Sequence, residues 1–242
     1  MALKEILGFR RSVRVYDPEK KIDTDKVRGC IELATLAPTS SNMQLWEFYH
    51  VVNPHVKAEL SKACLDQTAA STAQELVVFV VPKSKYKSRA KAVLNFEYSN
   101  IRKYSPEDRQ EKRIKDRELY YGKIMPFLYA RFFGILGFLR KSLVTAVGIF
   151  RPIVREVSET DMRIVAHKSC ALAAQTFMLA MAEQGYDTCP MEGFDSRLVK
   201  KVLKLPCSSE INMIVSCGIR KGNDGIWGER FRVPFEEVYH QI

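Results

Sequence analysis

The sequence predicts a single α/β or α+β domain, and three observations carry that expectation. The chain has 242 residues, 46% hydrophobic and 27% charged, which is ordinary for a globular protein and long enough to bury a core without staples. Short β-rich runs alternate with longer stretches of helical character, and helices outnumber strands. The six cysteines (Cys30, Cys64, Cys170, Cys189, Cys207, Cys217) are far apart and form no Cys-x-x-Cys pair. That excludes a zinc knuckle or a dithiol redox motif, and predicts reduced thiols in a cytoplasmic protein. The opening MALKEILGFRRS has no apolar core or small-residue cleavage site, so no secretory signal is expected.

The elements follow in order. Ala2 to Phe9 carries apolar residues at helical spacing. Asp23 or Thr24 can cap a second helix, with Leu33, Leu36 and Ala37 near its end and Pro38 as its stop. LWEFYHVVN (45–53) and LVVFVVP (76–82) read as strands bounded by turn residues, with a helix around Val56 to Cys64 between them. After a polar stretch from Lys83 to Lys123 and an apolar one from Ile124 to Phe150 comes the clearest helix. Ser158-x-x-Asp161 resembles a capping box, Met162 to Gln184 is apolar over most of its circumference, and Gly185 can end it. Such a helix belongs in the centre of the molecule. INMIVSCGI (211–219) is a third strand, and Arg230 to Ile242 reads as an extended arm.

The net charge of +10 is localised. Residues 1–82 carry ten basic and ten acidic side chains, residues 164–242 nine of each, and residues 83–163 nineteen against nine. A neutral scaffold with a basic insertion is a different object from a nucleic-acid-binding domain, and no nucleic acid is expected as partner. His50, His55, His167 and His240 are scattered without ligand spacing, so no metal site is expected. No Gly-x-Gly-x-x-Gly or Walker loop is present, which leaves a Rossmann nicotinamide site unsupported.

Four short segments carry chemistry. Arg10, Arg11, Ser12 and Arg14 follow directly on the first helix and make a compact anion site, because planar guanidinium forks match phosphate. Pro38-Thr39-Ser40-Ser41-Asn42-Met43-Gln44-Leu45-Trp46 puts hydroxyls and amides on a turn between helix and strand, suited to a polyhydroxyl chain or a heterocycle edge. Pro190-Met191-Glu192-Gly193-Phe194-Asp195 allows backbone N–H groups close to a planar ligand. In Glu229-Arg230-Phe231-Arg232-Val233-Pro234, alternation places Arg230 and Arg232 on one side of an extended chain.

In this order the four segments resemble the nitroreductase family of FMN-dependent oxidoreductases, over about residues 5–82 and 160–242. The resemblance implies an α+β fold with a mostly antiparallel central sheet flanked by helices. It further implies an intertwined homodimer with FMN at the subunit interface. Arg10, Ser12, Arg230 and Arg232 would hold the phosphate and nearby ribityl chain, with Arg11 beside them. Arg14 would stand at the flavin N1/O2 edge, where a cation favours reduction. Pro38, Thr39, Ser40 and Asn42 would reach the partner's FMN. Met191, Glu192 and Gly193 would face the flavin, with the N–H groups of Glu192 and Gly193 toward N5 and O4. Asp66 or Gln67 would supply another polar contact, and Gln67 is the choice between them. Two departures stand out: the family often has Gln-Pro-Trp where this chain has Gln44-Leu45-Trp46, and Glu192 matches one branch only.

The activity implied is ping-pong transfer of hydride from NAD(P)H through FMN to a nitroaromatic, quinone or similar acceptor. The alternatives are a specialised flavin reaction such as reductive dehalogenation, or a non-catalytic flavin-binding protein whose basic insertion touches membrane or nucleic acid. Residues 83–160 lie outside the resemblance. Arg131, Arg140 and Lys141 interrupt the apolar stretch, leaving uncharged runs of only eight residues (132–139) and nine (142–150). A spanning helix needs roughly 20 apolar residues, so none is expected here. A lid over FMN or extra dimer interface is favoured over a membrane-surface segment.

Overall fold

The structure is a computed structural model that describes residues 2–242. Helix α1 (Leu3–Phe9) leads into an extended segment, and α2 (Thr24–Ala34) follows. The Asp23 carboxylate accepts from the amides of Asp25 and Lys26, as a helix N-cap should. The helix ends at Ala34 rather than beside Pro38, and Thr35 to Ala37 form a turn that leaves Leu36 exposed. Next come β1 (Glu47–Val51), α3 (Pro54–Ala63), the short α4 (Thr68–Ser71) and β2 (Glu75–Pro82). Asn53 caps α3, and Pro54 occupies the first turn, where its missing N–H costs nothing.

The basic stretch is mostly helical. It contains α5 (Tyr86–Tyr104), α6 (Glu107–Arg117), a π-helical turn at Glu118–Ile124, α7 (Met125–Tyr129) and α8 (Ile135–Val147). The chain then enters α9 (Glu159–Glu183), β3 (Asp187–Met191), α10 (Ser196–Val202), β4 (Ser209–Gly218) and, in the tail, α11 (Phe235–Val238).

The four strands form one antiparallel sheet in the order β1-β2-β4-β3, and the fold is α+β. Strand β3 is the element the sequence hides, because Pro190 and the glycine that follows read as a turn. Proline is tolerated there because β3 is an edge strand. Every residue of β2 is buried, since helices cover both faces of the sheet. Val77, Phe79 and Val81 pack toward α2 and α9, while Leu76, Val78 and Val80 pack toward α3, α4 and α10.

Helix α9 is the central one. Ser158 Oγ accepts from the Asp161 amide at 3.0 Å, and the Ser158 amide donates to Asp161 Oδ2 at 2.9 Å. Gly185 takes φ +75°, a left-handed conformation that ends the helix at little cost. Cys170, Ala173, Ala174 and Phe177 are fully buried, and the Phe177 ring lies 5.6 Å from that of Phe79. Among the described residues α9 alone has the length and apolarity of a membrane span, but half of its most apolar window is buried inside the protein. Its buried residues pack against the sheet and α2, while Ile164 and Leu172 remain about half exposed on its outer side.

Candidate functional site

The site begins where α1 hands the chain to residues 10–14. Ser12 bridges to Thr188 beside the edge strand, the Val13 amide donates to Thr188 O at 3.2 Å, and the Arg14 amide donates to Gly225 O at 2.9 Å. Tyr16 is anchored in the core by hydrogen bonds to Ser216 Oγ and Ser216 O at 2.8 and 3.0 Å. A buried ion pair ties the pieces together. Arg220 Nε donates to the two Asp187 carboxylate oxygens at 2.9 and 3.0 Å, and its Nη2 donates to Phe9 O at 3.0 Å. The same guanidinium lies 4.5 Å from the centre of the Phe9 ring, so one side chain joins β3, the end of β4 and the end of α1. No short motif marks this pair, because its members are 33 residues apart and meet only in the fold.

Above this floor lies a cleft of about 480 Å³ lined by Arg10, Arg11, Ser12 and Arg14 from one segment and by Ile226 to Arg232 from another. The structure thus brings together the first and fourth motifs. Trp227, which sequence reasoning passed over, and Phe231 share the lining and are exposed. Among the described residues none of the five arginines has a carboxylate within ion-pair distance. Burial, reinforced by the like charges of Arg230 and Arg232, lowers the Arg10 guanidinium below its ordinary value. Unneutralised cations gathered in one concavity disfavour each other, and an anion removes the repulsion. The residues therefore fit a phosphate-bearing ligand.

The arginines are not equivalent. Arg230 donates Nη1 to Leu7 O at 2.8 Å and Nη2 to Gly8 O at 3.3 Å, and it also bonds Arg10 O. It satisfies carbonyls at the C-terminal end of α1, where a cation belongs. Arg11 donates Nη2 to Gly228 O at 2.8 Å. Arg232 bonds only its neighbour's carbonyl, Phe231 O, at 2.6 Å. Among the described residues Arg10 and Arg14 make no side-chain hydrogen bond to the protein, which leaves Arg10, Arg14 and Arg232 freest to meet a ligand. Cys189 is buried beside them, and burial pushes its thiol up against the opposing pull of Arg14 and Arg10.

A second cluster forms near the end of β3. Met191 is buried, Glu192 and Gly193 are exposed, and among the described residues no acceptor meets the amides of Glu192 or Gly193. Gln67 donates Nε2 to Gly193 O at 2.6 Å and to Cys64 O at 3.0 Å, which clamps the loop. Asp66 is turned into a left-handed bend whose amide bonds Ser61 O.

The Pro38–Gln44 turn stands apart from the arginine cleft, whose lining includes none of Pro38, Thr39, Ser40 or Asn42. Ser41, Asn42 and Gln44 all have positive φ, near +50°. The turn is held by the Gln44 amide on Thr39 Oγ1 (3.2 Å), Gln44 Nε2 on Asn42 Oδ1 (3.0 Å) and the Ser40 amide on Ser169 Oγ of α9 (3.3 Å). The helical stretch reaches the turn here: Tyr120 Oη lies 2.7 Å from Ser41 Oγ, and Tyr121 Oη donates to Ser41 O at 3.2 Å. Both tyrosines sit on the π-helical turn, a feature common at functional sites. No residue of 83–160 lines the arginine cleft of its own chain.

Comparison with known proteins places the chain among relatives of similar length. Protein DrgA of Synechocystis is 26% identical over 211 residues, 87% of this chain and 80% of that protein. MhqN of Bacillus subtilis, provisionally named an NAD(P)H nitroreductase, is 23% identical over 218 residues, 89% of this chain and 87% of its own. A protein from Exiguobacterium sibiricum, solved in complex with FMN, superposes with a TM-score of 0.67 at 20% identity, covering all of this chain and 98% of the other. That likeness bears on the fold. The nitroreductase family profile itself matches residues 7–219, the helical stretch included, and the chain belongs to the nitroreductase family.

Proposed function

We propose that this chain is an FMN-dependent oxidoreductase that takes hydride from NAD(P)H and passes reducing equivalents to an acceptor such as a nitroaromatic or quinone. The observation that carries the reading is the cleft of unpaired arginines, joined in the fold from motifs more than 200 residues apart. Its support from relatives is the NAD(P)H nitroreductase name of MhqN and the FMN complex of the Exiguobacterium protein.

When bound, FMN supplies a ring that accepts hydride from one substrate and delivers it to the next. The protein's own part is binding and electrostatics. Arg10, Arg232 and Ser12 hold the phosphate, while Arg11 and Arg230 mainly fix the two segments against each other. Arg14 places a positive charge at the pyrimidine edge and so favours the reduced, anionic state. The amides of Glu192 and Gly193, fixed by Gln67, donate toward the reacting edge, and buried Met191 backs them. Pro38, Thr39, Ser40 and Asn42 serve the cofactor of a second subunit, which accounts for their distance from the arginines of their own chain. The active unit is thus a homodimer, and the part of the 83–160 segment around Tyr120 and Tyr121 acts as lid or added interface where it meets the turn. The free cysteines fit a reducing compartment such as the cytoplasm.

The test is affinity and colour. Purified protein should be yellow and should bleach anaerobically with NAD(P)H. Arg10→Ala with Arg232→Ala should weaken FMN binding by about 1.5–3 kcal/mol for each charge-assisted contact, read by equilibrium dialysis. Undiminished affinity would remove the phosphate assignment.

A further inference from the structure

Helix α8 is built inside out. Its inward face carries Gly137 and the charged Arg140, which is only 2% exposed. Arg140 donates Nε to Val157 O at 2.7 Å and Nη1 to Phe127 O and Ala130 O at 2.6 and 3.0 Å. Those bonds fix the rotation of the helix. Gly137 tightens it further, because a Cβ there would come within 2.8 Å of the Glu159 amide. The opposite face is then forced outward, and it holds Ile135, Phe138, Leu139, Ser142, Leu143 and Ala146 at spacings of three and four residues. Phe138 is 72% exposed, and Phe133 before the helix and Phe150 after it are 94% and 88% exposed.

Hydrocarbon is thus presented to solvent while a guanidinium is spent on anchoring carbonyls. In water this inverts the usual arrangement of a surface helix. An exposed apolar patch of this kind marks a surface that something else covers. The charge around it says what. Between Leu119 and Arg155 there are six basic residues and no acidic one. Of these, Arg151 and Arg155 are exposed just after α8 without a carboxylate partner among the described residues, while Lys141 on the helix is exposed but pairs with Asp161 at 3.5 Å. A second copy of this chain, docked through the same face, would set these cations against themselves. A surface that offers both an apolar layer and negative charge satisfies the helix and its cations together.

We propose that the outward face of α8 and its flanking phenylalanines dock on an anionic lipid membrane, with the helix lying in the plane of the headgroups. Thirteen residues make a helix about 20 Å long, short of the roughly 30 Å hydrocarbon core, so it rests on the bilayer and does not cross it. Apolar burial supplies the hold, and the cations supply the preference for acidic lipid.

The test is sedimentation of the full-length, FMN-loaded protein with vesicles, read by protein and so independent of the flavin assignment. Binding should be at least about tenfold tighter to equimolar phosphatidylcholine and phosphatidylglycerol than to phosphatidylcholine alone, and should fall at high salt. Phe138→Ser with Leu143→Ser should abolish it. Arg151→Glu should weaken it by about fivefold or more. All of these side chains are exposed, so the variants should keep the native circular dichroism and melting point. Absence of binding to the acidic vesicles overturns the proposal. So does a change of oligomeric state in the Phe138→Ser, Leu143→Ser variant without any vesicle binding by the intact protein, because the face would then belong to a second copy.

Discussion

Glu210 shows how a single residue can hold distant segments. Arg163 Nε and His167 Nε2 donate to its Oε2 at 2.7 and 2.8 Å, Lys83 bonds its Oε1, and Arg131 stands 4.0 Å away. Burial would raise this carboxyl, but the hydrogen bonds from His167 and Lys83 and the charges of Lys83 and Arg163 outweigh it and hold it far below the usual carboxylate range. A carboxyl lowered in the folded state contributes stability that is fully present above its unfolded value, about 4.3 for glutamate, and that is lost as pH falls below it. Denaturation by urea across the acid range should therefore show a steep loss below about pH 4.3 in the parent protein. Glu210→Gln should be less stable at neutral pH and should show a flatter acid limb. Equal slopes would mean the cluster does not act through ionisation.

At the scale of elements, the loop after β4 decides whether the arginine cleft exists. Gly225 lies under it, and a Cβ there would come within 2.7 Å of Val15 O and 3.0 Å of Arg220 Cβ. The first contact is backbone, so the loop itself must move. Gly225→Ala should cost about 1–3 kcal/mol of stability and should also weaken FMN binding, because Ile226 to Arg232 shift with the loop. Calorimetric unfolding and FMN titration measure the two effects. A stability loss with unchanged affinity would show that the loop's register does not set the site. Strand β3 makes the complementary point, since an edge strand containing proline is set by its pairing with β4 and not by local propensity.

At the scale of the whole molecule, the C-terminal tail is tied to its own chain at Gly228 and Arg230 and runs exposed beyond them. Residues 227–242 are exposed, Trp227 at 96%, and Phe235 and Tyr239 stack on each other 4.8 Å apart. On the proposed homodimer this tail is the arm that grips the second subunit. Deleting 235–242 keeps every arginine of the cleft. It should shift the protein toward the monomer on a sizing column with light scattering, and should lower FMN affinity as the second subunit's contacts are lost. A stable dimer after deletion would assign the subunit contact to other surfaces.

Local chemistry made much of this legible. Asp23 and Ser158 declared their helices because capping is a matter of three or four residues. The apolar circumference of α9 marked the centre, and the β-rich runs of β1 and β2, bounded by turn residues, marked two strands. The first and fourth motifs pointed to the arginines of the cleft because each is contiguous. What stayed hidden depends on contacts between distant residues: β3 against β4, Asp187 with Arg220, Tyr120 and Tyr121 on Ser41, and the division of labour among the arginines. The rotation of α8 belongs to the same class. Arg140 lies opposite its apolar face, and only the carbonyls of Phe127, Ala130 and Val157, gathered by the tertiary fold, decided that Arg140 would point inward. Periodicity fixes which residues share a face, whereas the partners available in three dimensions fix where that face points.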